Sequence, residues 1–416
     1  MSNLEELIER LCPDGVEYKE LKNIIKSLNT GLNPRKFFKL NTEDANNYYV
    51  TIREIRDNKI VFSDSTDKIN DDALKLCNNR SNLEVGDILF SGTGTIGMTA
   101  LIDEEPINWN IKEGVYAIKP YSDIIDSKFL MYMLQSNEIK KECLKRIFGG
   151  TVKSISMKDL MSIKLPVPPL EVQREIVRIL DNFTFLTTEL AAELAARQKQ
   201  YEYFRDLLLN DCNGTNGKII DMLVQPITDG PHITPTLVSS GIPFVSAEAI
   251  FDGRVNFEKK RGFITEKFHL ECCRKYKPQK NDVYLVKSGS TTGKVAYVYT
   301  DEEFNIWSPI AALRTNADNS SRFLFHLLQS NKIQQQVKSK SSHGSQPNLS
   351  MRVLEQFDVV IPSLEEQNQI ANLLDRFDTL CNNISDGLPA EITMRQKQYE
   401  YYRDKLLTFK ELKKEA

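Results

Sequence analysis

The chain contains one long internal repeat. The thirteen residues Arg197–Leu209, RQKQYEYFRDLLL, recur at Arg395–Leu407 with eleven identical positions. Upstream, the segment FLMYMLQSN that begins at Phe129 recurs from Phe323 as FLFHLLQSN, which sets the two copies 194 residues apart. This period is several times longer than the roughly 20–50 residues of a solenoid repeat. Each copy is therefore a complete module, and the chain is a tandem duplication.

The two copies differ in length at one clean position. Their offset is 194 residues as far as Phe183 and Phe377, and 198 residues at Arg197 and Arg395. The extra four residues fall within a segment of helical periodicity, and they correspond to about 6 Å of α-helix. The first copy carries the tetrapeptide ELAA twice in this region, from residue 189 and from residue 193.

Apolar residues at spacings of three and four predict a long helix in each copy. The first helix follows Pro169 and spans about 39 residues, or roughly 58 Å. In the second helix, Gly387 and Pro389 predict a kink. Because both helices are polar outside the apolar stripe, an antiparallel coiled coil is favoured over core helices of a compact domain. The residues expected to pack the helix pair and to dock partners are Ile176, Leu180, Phe183, Tyr201, Phe204, Ile370, Leu374, Phe377, Tyr399 and Tyr402.

The segments between the helices have mixed character. Short apolar runs at 87–90, 115–118, 242–245 and 282–286 are typical of strands, and polar loops separate them. We therefore predict an α+β protein with two similar globular domains, at residues 1–165 and 212–360. Helical spacers at residues 166–211 and 361–416 join these domains as an antiparallel coiled coil, and the duplication predicts a pseudo-twofold relation between the halves.

The composition is that of an ordinary soluble protein, with 41% hydrophobic and 27% charged residues. No apolar run approaches the roughly 18–20 residues of a membrane span, and the first residues lack the layout of a signal peptide. We expect a cytoplasmic protein with no membrane partner. The seven cysteines include no C-x-x-C pair, which disfavours a disulfide framework or a zinc ribbon. A metal site at His269, Cys272 and Cys273 is less favoured than a cluster of free thiols, so no metal is predicted.

The overall charge argues mildly against a nucleic-acid partner. The net charge is −3 and the pI is about 6.0, whereas a DNA-binding domain is usually basic. The distribution weakens this objection, because residues 254–280 contain nine basic and three acidic residues, and residues 332–352 contain four basic residues and no acidic one. Either segment is also compatible with a solvated surface.

Two glycine-rich segments resemble nucleotide-binding motifs. Gly92–Gly97 matches G-x-G-x-x-G, but the following residues indicate a strand, whereas the dinucleotide motif requires a helix there. Ser288–Lys294 resembles a P-loop with three residues instead of four between its glycines, and no Ser or Thr follows the lysine. Tight strand–turn–strand units with hydroxyl residues at their tips are favoured. Such tips suit contact with a phosphate backbone, and a plain surface turn is the alternative.

The sequence lacks the common catalytic constellations. It contains no N/D-P-P-Y/F, H-E-x-x-H, G-x-S-x-G or Walker A motif, and its four histidines have no obvious Ser or Cys partner. We therefore predict no catalytic residues, although the sequence does not exclude a carboxylate cluster for Mg²⁺.

The repeated segments resemble one known family. The RQKQYEY-F/Y-RD helices resemble the helical spacers of specificity subunits of type I restriction–modification enzymes. The same family is indicated by PVPPLEVQ at 166–173, IPSLEEQ at 361–367, GGTVKSIS at 149–156, GSQPNLS at 344–350 and LCPDGVEY at 11–18. The resemblance covers essentially the whole chain.

This resemblance implies a non-catalytic adaptor. Each globular domain would read one half of a bipartite target in double-stranded DNA. The helices would set the gap between the halves and bind two methyltransferase subunits, which two restriction or translocase subunits can join. No cofactor is expected on this chain, since S-adenosylmethionine, ATP and Mg²⁺ belong to the partner subunits. The candidate backbone contacts are Ser91, Thr93, Thr95, Lys153, Lys287, Ser290, Thr291, Lys294 and Gln346.

Two alternatives remain open at this point. A coiled-coil scaffold without DNA recognition would account for the helices but not for two duplicated domains with basic segments. A self-sufficient enzyme would require catalytic residues that the known motifs do not reveal.

Overall fold

The computed structural model describes residues 3–148, 153–342, 346–382 and 387–412. It divides the chain into two compact units. Unit 1 comprises Met1–Thr188 together with Thr393–Ala416, and unit 2 comprises Glu189–Ile392. Each predicted helical spacer is thus shared between units, because each unit needs helical segments from both copies of the repeat to complete its core.

Most elements of unit 1 lie before the long helix α7 in the sequence. Its strands are β1 (Glu17–Glu20), β2 (Ile25–Thr30), β3 (Asn47–Val50), β4 (Ile55–Arg56), β5 (Lys59–Ile60), β6 (Lys68–Ile69), β7 (Ile88–Ser91), β8 (Thr99–Leu101), β9 (Trp109–Ile111), β10 (Val115–Pro120) and β11 (Lys164–Val167). Its helices are α1 (Asn3–Leu11), α2 (Pro34–Phe37), α3 (Asp71–Ser81), α4 (Ser127–Gln135), α5 (Asn137–Lys145) and α6 (Met157–Met161). Helix α7 (Leu170–Asn210) then runs from unit 1 into unit 2.

Unit 2 repeats this order of elements. Its strands are β12 (Gly214–Lys218), β13 (Thr228–Asp229), β14 (Ile242–Val245), β15 (Ile250–Phe251), β16 (Gly253–Val255), β17 (Gly262–Ile264), β18 (Val283–Val286), β19 (Val295–Tyr297), β20 (Asn305–Ile306), β21 (Ile310–Leu313) and β22 (Asp358–Pro362). Its helices are α8 (Glu266–Cys273), α9 (Ser321–Gln329), α10 (Asn331–Lys340), α11 (Met351–Glu355) and α12 (Leu364–Asn382), and α13 (Leu388–Leu406) follows.

Both units have the same sheet topology around a buried central strand. In unit 1 the strand order is β2-β10-β7-β8, and in unit 2 the corresponding order β13-β21-β18-β19 continues into β16-β15. Each unit also has a smaller sheet that contains one parallel pair of strands. The pair is β3 with β9 in unit 1 and β14 with β20 in unit 2. Every residue of β7 and of β18 is buried, as expected for short apolar runs without polar alternation. The predicted α+β modules are therefore confirmed.

The long helices confirm one prediction and correct another. Helix α7 has 41 residues, close to the predicted length. The second helix is not one kinked helix: α12 ends at Asn382 and α13 begins at Leu388. The amides of Ala390 and Glu391 both donate to the carbonyl of Gly387, and Pro389, which lacks an N–H donor, fits only the first turn of a helix. A new helix therefore begins here, and residues 383–386 lie outside the described part of the chain.

The apolar stripe packs within each unit. In unit 1, Phe183 stacks on Tyr402 with ring centroids 5.5 Å apart. In unit 2, Phe204 stacks on Phe377 at 5.9 Å, and the amide of Asn213 donates to Glu366, so α7 and α12 run antiparallel. The remaining predicted stripe residues are buried or half-buried, namely Ile176, Leu180, Tyr201, Ile370, Leu374 and Tyr399. These side chains pack the helices against their own domains, and their docking of partners stays a prediction.

The other sequence predictions have simple structural outcomes. All seven cysteines are free, and His269 hydrogen-bonds to Asn305 in a buried position. Within the described residues, no cluster of His, Cys, Asp or Glu could hold a metal ion. The helices found in that same part of the chain are all too short or too polar to cross a membrane.

Candidate nucleic-acid interface

The glycine-rich loop of unit 1 lies against a second loop. It connects β7 to β8, so a strand and not a helix follows it, as predicted. The amide of Gly94 donates to the carbonyl of Lys153 over 2.9 Å, and the amide of Ile155 donates to the carbonyl of Gly92 over 2.9 Å. Gly94 has a φ of +81°, which a residue with a Cβ adopts only with strain. Two segments sixty residues apart in the chain thus form one platform.

Unit 2 builds the same platform from a different sequence. The amide of Gly289 donates to the carbonyl of Pro347 over 3.0 Å, and the amide of Leu349 donates to that of Lys287 over 2.7 Å. Gly289 has a φ of +98° and so takes the place of Gly94. An alignment of the two sequences would pair Gly92 with Gly289. The equivalent hydrogen bonds instead pair Gly92 with Lys287, because the carbonyls of these two residues accept from Ile155 and Leu349. The geometry is duplicated while the side chains it presents differ.

The structure separates the predicted contact residues into two groups. Thr95, Lys153, Ser290, Lys294 and Gln346 are exposed, and Thr93 and Thr291 are half-buried. Ser91 is fully buried: its hydroxyl donates to the carbonyl of Thr95 and accepts from the amide of Met98. Its side chain therefore supports the turn and is not available at the surface.

Lys287 is likewise used inside its domain. Its side chain is 13% exposed, and its Nζ lies 3.4 Å from the carboxylate of Asp229. Burial opposes ionisation of Asp229, but the ammonium groups of Lys275 and Lys287 outweigh it, so the pKa of Asp229 lies below its usual value. Asp229 therefore remains charged and fixes the root of the unit 2 loop.

In unit 1, the platform continues into basic residues that the sequence analysis missed. The amide of Gly92 donates to the carbonyl of Gly114, and the amide of Glu113 donates to that of Leu32. Gly31 is required here, because an added Cβ would lie 1.8 Å from the carbonyl oxygen of Ile111. Beside this crossing, Lys112 and the short helix α2 place further cations on the surface. We define the recognition face of unit 1 as the loop 92–97 with the exposed residues Arg35, Lys36, Lys112 and Lys153.

The equivalent surface of unit 2 is built by the same connections. The amide of Lys287 donates to the carbonyl of Pro309, and the amide of Ser308 donates to that of Pro231. Gly230 approaches the carbonyl of Ile306 as Gly31 approaches that of Ile111. We define the recognition face of unit 2 as the loop 287–294 with His232, Arg261, Trp307 and Gln346. No local sequence signal identifies either face, because each gathers residues from four or five separate segments.

Comparison with known proteins agrees with this architecture. The family model described as "type I restriction modification DNA specificity domain" matches residues 13–197 and 235–394. The specificity subunit of the EcoR124I/EcoR124II enzyme of Escherichia coli is 34% identical over 261 residues, which are 59% of this chain and 63% of that protein. The EcoprrI specificity subunit of the same species is 30% identical over 411 residues, covering 93% of this chain and 92% of that protein.

Solved structures show the same fold. A chain from a study of assembly and conformational transition of the type I R-M system aligns with a TM-score of 0.63 at 18% identity, covering 95% of this chain and 98% of that chain. The S subunit of a type I restriction-modification system from M. genitalium aligns with a TM-score of 0.50 at 16% identity, covering 94% and 96% of the two chains. The family model matches two stretches that together cover most of the chain, one largely in each unit. This protein therefore belongs to the family of type I restriction–modification DNA specificity proteins.

Proposed function

We propose that this chain is the DNA-recognition subunit of a type I restriction–modification complex and has no catalytic activity of its own. Each unit reads one half of a bipartite DNA target. The observation that carries this proposal is the duplicated platform: one backbone geometry occurs in both units and presents different side chains in each. A chain built in this way has two DNA-recognition domains with the same architecture and different specificities.

The charge distribution supports contact with DNA at these faces. Phosphate contacts fix the position of a protein on the duplex, and base contacts supply specificity. In unit 1, Arg35, Lys36, Lys112 and Lys153 are all exposed, as is Glu113, and backbone hydrogen bonds link their segments to the loop 92–97. A face of this composition gains affinity from counterion release even though the whole chain is slightly acidic.

A second duplicated surface fits two copies of one partner. In unit 2, a groove is lined by Lys199, Glu202, Tyr203, Asp206, Leu207, Asn210 and Asn331. In unit 1, the equivalent groove is lined by Lys397, Glu400, Tyr401, Asp404, Lys405, Thr408 and Asn137. Five of the seven residue pairs are identical, so whatever binds one groove has a matching site in the other.

The duplicated groove is built around an exposed tyrosine. Tyr203 is 64% exposed and Tyr401 is 62% exposed. Exposed aromatic side chains of this kind are common anchors of protein interfaces. We propose that each groove binds one methyltransferase subunit, and that restriction subunits join the complex through these. S-adenosylmethionine, ATP and Mg²⁺ are then bound by the partner subunits.

The central experiment is co-expression with the cognate methyltransferase subunit in a host that lacks DNA methylation. Sequencing that detects modified bases is expected to show one split motif, methylated once on each strand and dependent on this chain. A folded complex that leaves the DNA unmethylated would contradict the proposal. Methylation by the chain without its partner would instead identify it as an enzyme.

Loss of the exposed tyrosines is expected to remove the partners one at a time. Replacing Tyr203 with Ser should weaken one of the two docking sites by about tenfold or more, as for an interface hot spot, and should leave the other intact. Native mass spectrometry is expected to show one bound methyltransferase subunit for the single variant and none for Tyr203→Ser/Tyr401→Ser. Tyr203→Phe, which keeps the ring, is the matched control. Two bound copies in the double variant would rule out these grooves.

Deleting one ELAA unit is expected to shorten the gap of the target. Removal of residues 189–192 takes about 6 Å from α7 and leaves the helical phase nearly unchanged, since four residues are close to one turn. At about 3.4 Å per base pair this is close to two base pairs. Methylation mapping should show both half-sites unchanged and a smaller gap. Ala191→Ser, which alters the same unit without changing its length, should keep the original gap. An unchanged gap in the deletion variant would mean that the helix does not set this spacing.

A further inference from the structure

An arginine on the recognition face of unit 2 is held flat on an aromatic ring. The guanidinium carbon of Arg261 lies 3.9 Å from the ring centroid of Trp307. Arg261 is exposed. Within the described residues, its guanidinium donates to no carboxylate or carbonyl, whereas Arg314 and Arg322 of the same unit are each bound by a carboxylate. Arg261 therefore keeps its donors available for a ligand.

The ring beneath this guanidinium is fixed to the domain core. Trp307 packs on Phe244, which is fully buried, with ring centroids 6.3 Å apart. The backbone holds both members of the pair: the amide of Arg261 donates to the carbonyl of Phe244, and the amide of Trp307 donates to that of Val245. Arg261 and Trp307 thus lie on either side of β14, and little conformational entropy remains to be lost when the guanidinium binds a ligand.

The pair stands beside the glycine-rich loop of unit 2. The two residues after Trp307 make the crossing described above, in which the amide of Ser308 donates to Pro231 and the carbonyl of Pro309 accepts from Lys287. No counterpart of the pair occurs among the described residues of unit 1. Lys112 takes the place of Trp307 there, since its amide donates to the carbonyl of Val50 as that of Trp307 does to Val245.

A stacked guanidinium is suited to reading a base edge. The fork of an arginine can also bind a phosphate, so the test below distinguishes the two ligands. Two parallel N–H donors in a fixed plane match the O6 and N7 acceptors of guanine in the major groove. The adjacent Lys260 differs, because its ammonium donates to the carbonyl of Phe257 over 3.2 Å.

We propose that Arg261 determines specificity by contacting a guanine in the half-site bound by unit 2, with Trp307 as its platform. This inference rests on the proposed DNA-recognition function, because it names one base class that the recognition face selects. It predicts that the target contains a G·C pair in that half-site, and that the half-site bound by unit 1 is read by other means.

Methylation mapping of variants tests this inference. With the methyltransferase subunit co-expressed, Arg261→Gln is expected to lose roughly 10- to 100-fold of its discrimination at one G·C pair, the range for one bidentate contact. All other positions of the motif should stay as in the wild type. Arg261→Lys keeps the charge but not the fork and should relax the same position, whereas Trp307→Phe should retain part of the preference. Arg254→Gln is the matched control, since Arg254 is an exposed arginine over Tyr299 at 5.2 Å outside the recognition face, and it should leave the motif unchanged.

The outcomes separate this inference from the proposed function. A wild-type complex without any split motif would contradict the proposed function itself. A split motif without guanine in one half, or one that Arg261→Gln and Arg261→Lys leave unchanged, would overturn only the role of Arg261. A uniform loss of methylation at all sites by an assembled Arg261→Gln complex would assign Arg261 to a phosphate and would also overturn the inference.

Discussion

Truncation of the chain after Ile392, the last residue of unit 2, is expected to unfold unit 1 and leave unit 2 folded. Helix α13 and the segment after it supply core residues to unit 1, although they lie at the other end of the chain. Leu407 is 2% exposed in that core, and Tyr399, Leu406 and Phe409 pack against the same cluster. Loss of each large apolar side chain costs about 2–5 kcal/mol, so the total approaches or exceeds the ~5–15 kcal/mol that stabilises a typical domain.

Polar contacts add to this expected loss. Asp404 accepts hydrogen bonds from the amide and the side chain of Asn137. The amide of Val16 donates to the carbonyl of Lys410, and the amide of Leu412 donates to the carbonyl of Val16. Hydrogen exchange measured by mass spectrometry should therefore show loss of protection across residues 17–167 in the truncated chain and little change across residues 214–362.

A circular permutant distinguishes loss of contacts from loss of connectivity. The segment at Cys212 joins α7 directly to β12 in unit 2, whereas the equivalent join in unit 1 is made by two separate parts of the chain near Val16 and Glu411. A chain whose native ends are joined by a short linker and which begins at Asn213 keeps every residue of α13. It should retain protection in both units. Protection of unit 1 in the truncated chain would show that its core does not depend on α13.

The helical part of the fold follows from the sequence because helix formation is a local, periodic property. Spacings of three and four predicted α7 to within two residues of its observed length. The prediction of a kink before α13 was wrong, because Pro389 and Gly387 are compatible both with a kink and with the start of a new helix. Periodicity alone does not distinguish these outcomes, since the decision depends on where the first hydrogen-bonded turn can form.

The recognition faces were predicted only in part for a related reason. The sequence predicts contacts at Thr95, Lys153, Lys294 and Gln346 because they lie within or beside motifs that are repeated in the chain. Arg35 and Lys112 were missed because they reach the same face only through backbone contacts between distant strands. Ser91 belongs to the predicted contacts because the sequence does not show that the end of β7 is buried.

Replacing the equivalent helix aspartates, Asp375 in unit 2 and Asp181 in unit 1, is expected to lower the stability of the two units by different amounts. Asp375 on α12 binds Arg322 through both carboxylate oxygens, and its Oδ1 lies 2.7 Å from Nε2 of His326. In unit 1 the matching carboxylate, Asp181, accepts from Lys128 over 2.7 Å and from the hydroxyl of Tyr132 over 2.6 Å. Burial lowers the pKa of His326, so the ring is neutral near pH 7, donates from Nε2 to Asp375 and accepts from the hydroxyl of Tyr201 at Nδ1.

Asp375→Ala is therefore expected to destabilise unit 2 by about 3 kcal/mol, because it removes the carboxylate partner of Arg322 and the acceptor of His326, whose side chains are 19% and 0% exposed. Arg322 keeps its hydrogen bond to the hydroxyl of Tyr299. Asp181→Ala should destabilise unit 1 less, by about 2 kcal/mol: the buried hydroxyl of Tyr132 loses its acceptor, but the ammonium of Lys128 is 45% exposed and regains water. Denaturant-dependent hydrogen exchange resolves the free energy of unfolding of each unit. Equal losses in the two variants would contradict the idea that burial of the cation sets the cost. A smaller loss in Asp375→Asn, which keeps the packing and one acceptor oxygen, would show that the cost in Asp375→Ala does not come from the loss of negative charge alone.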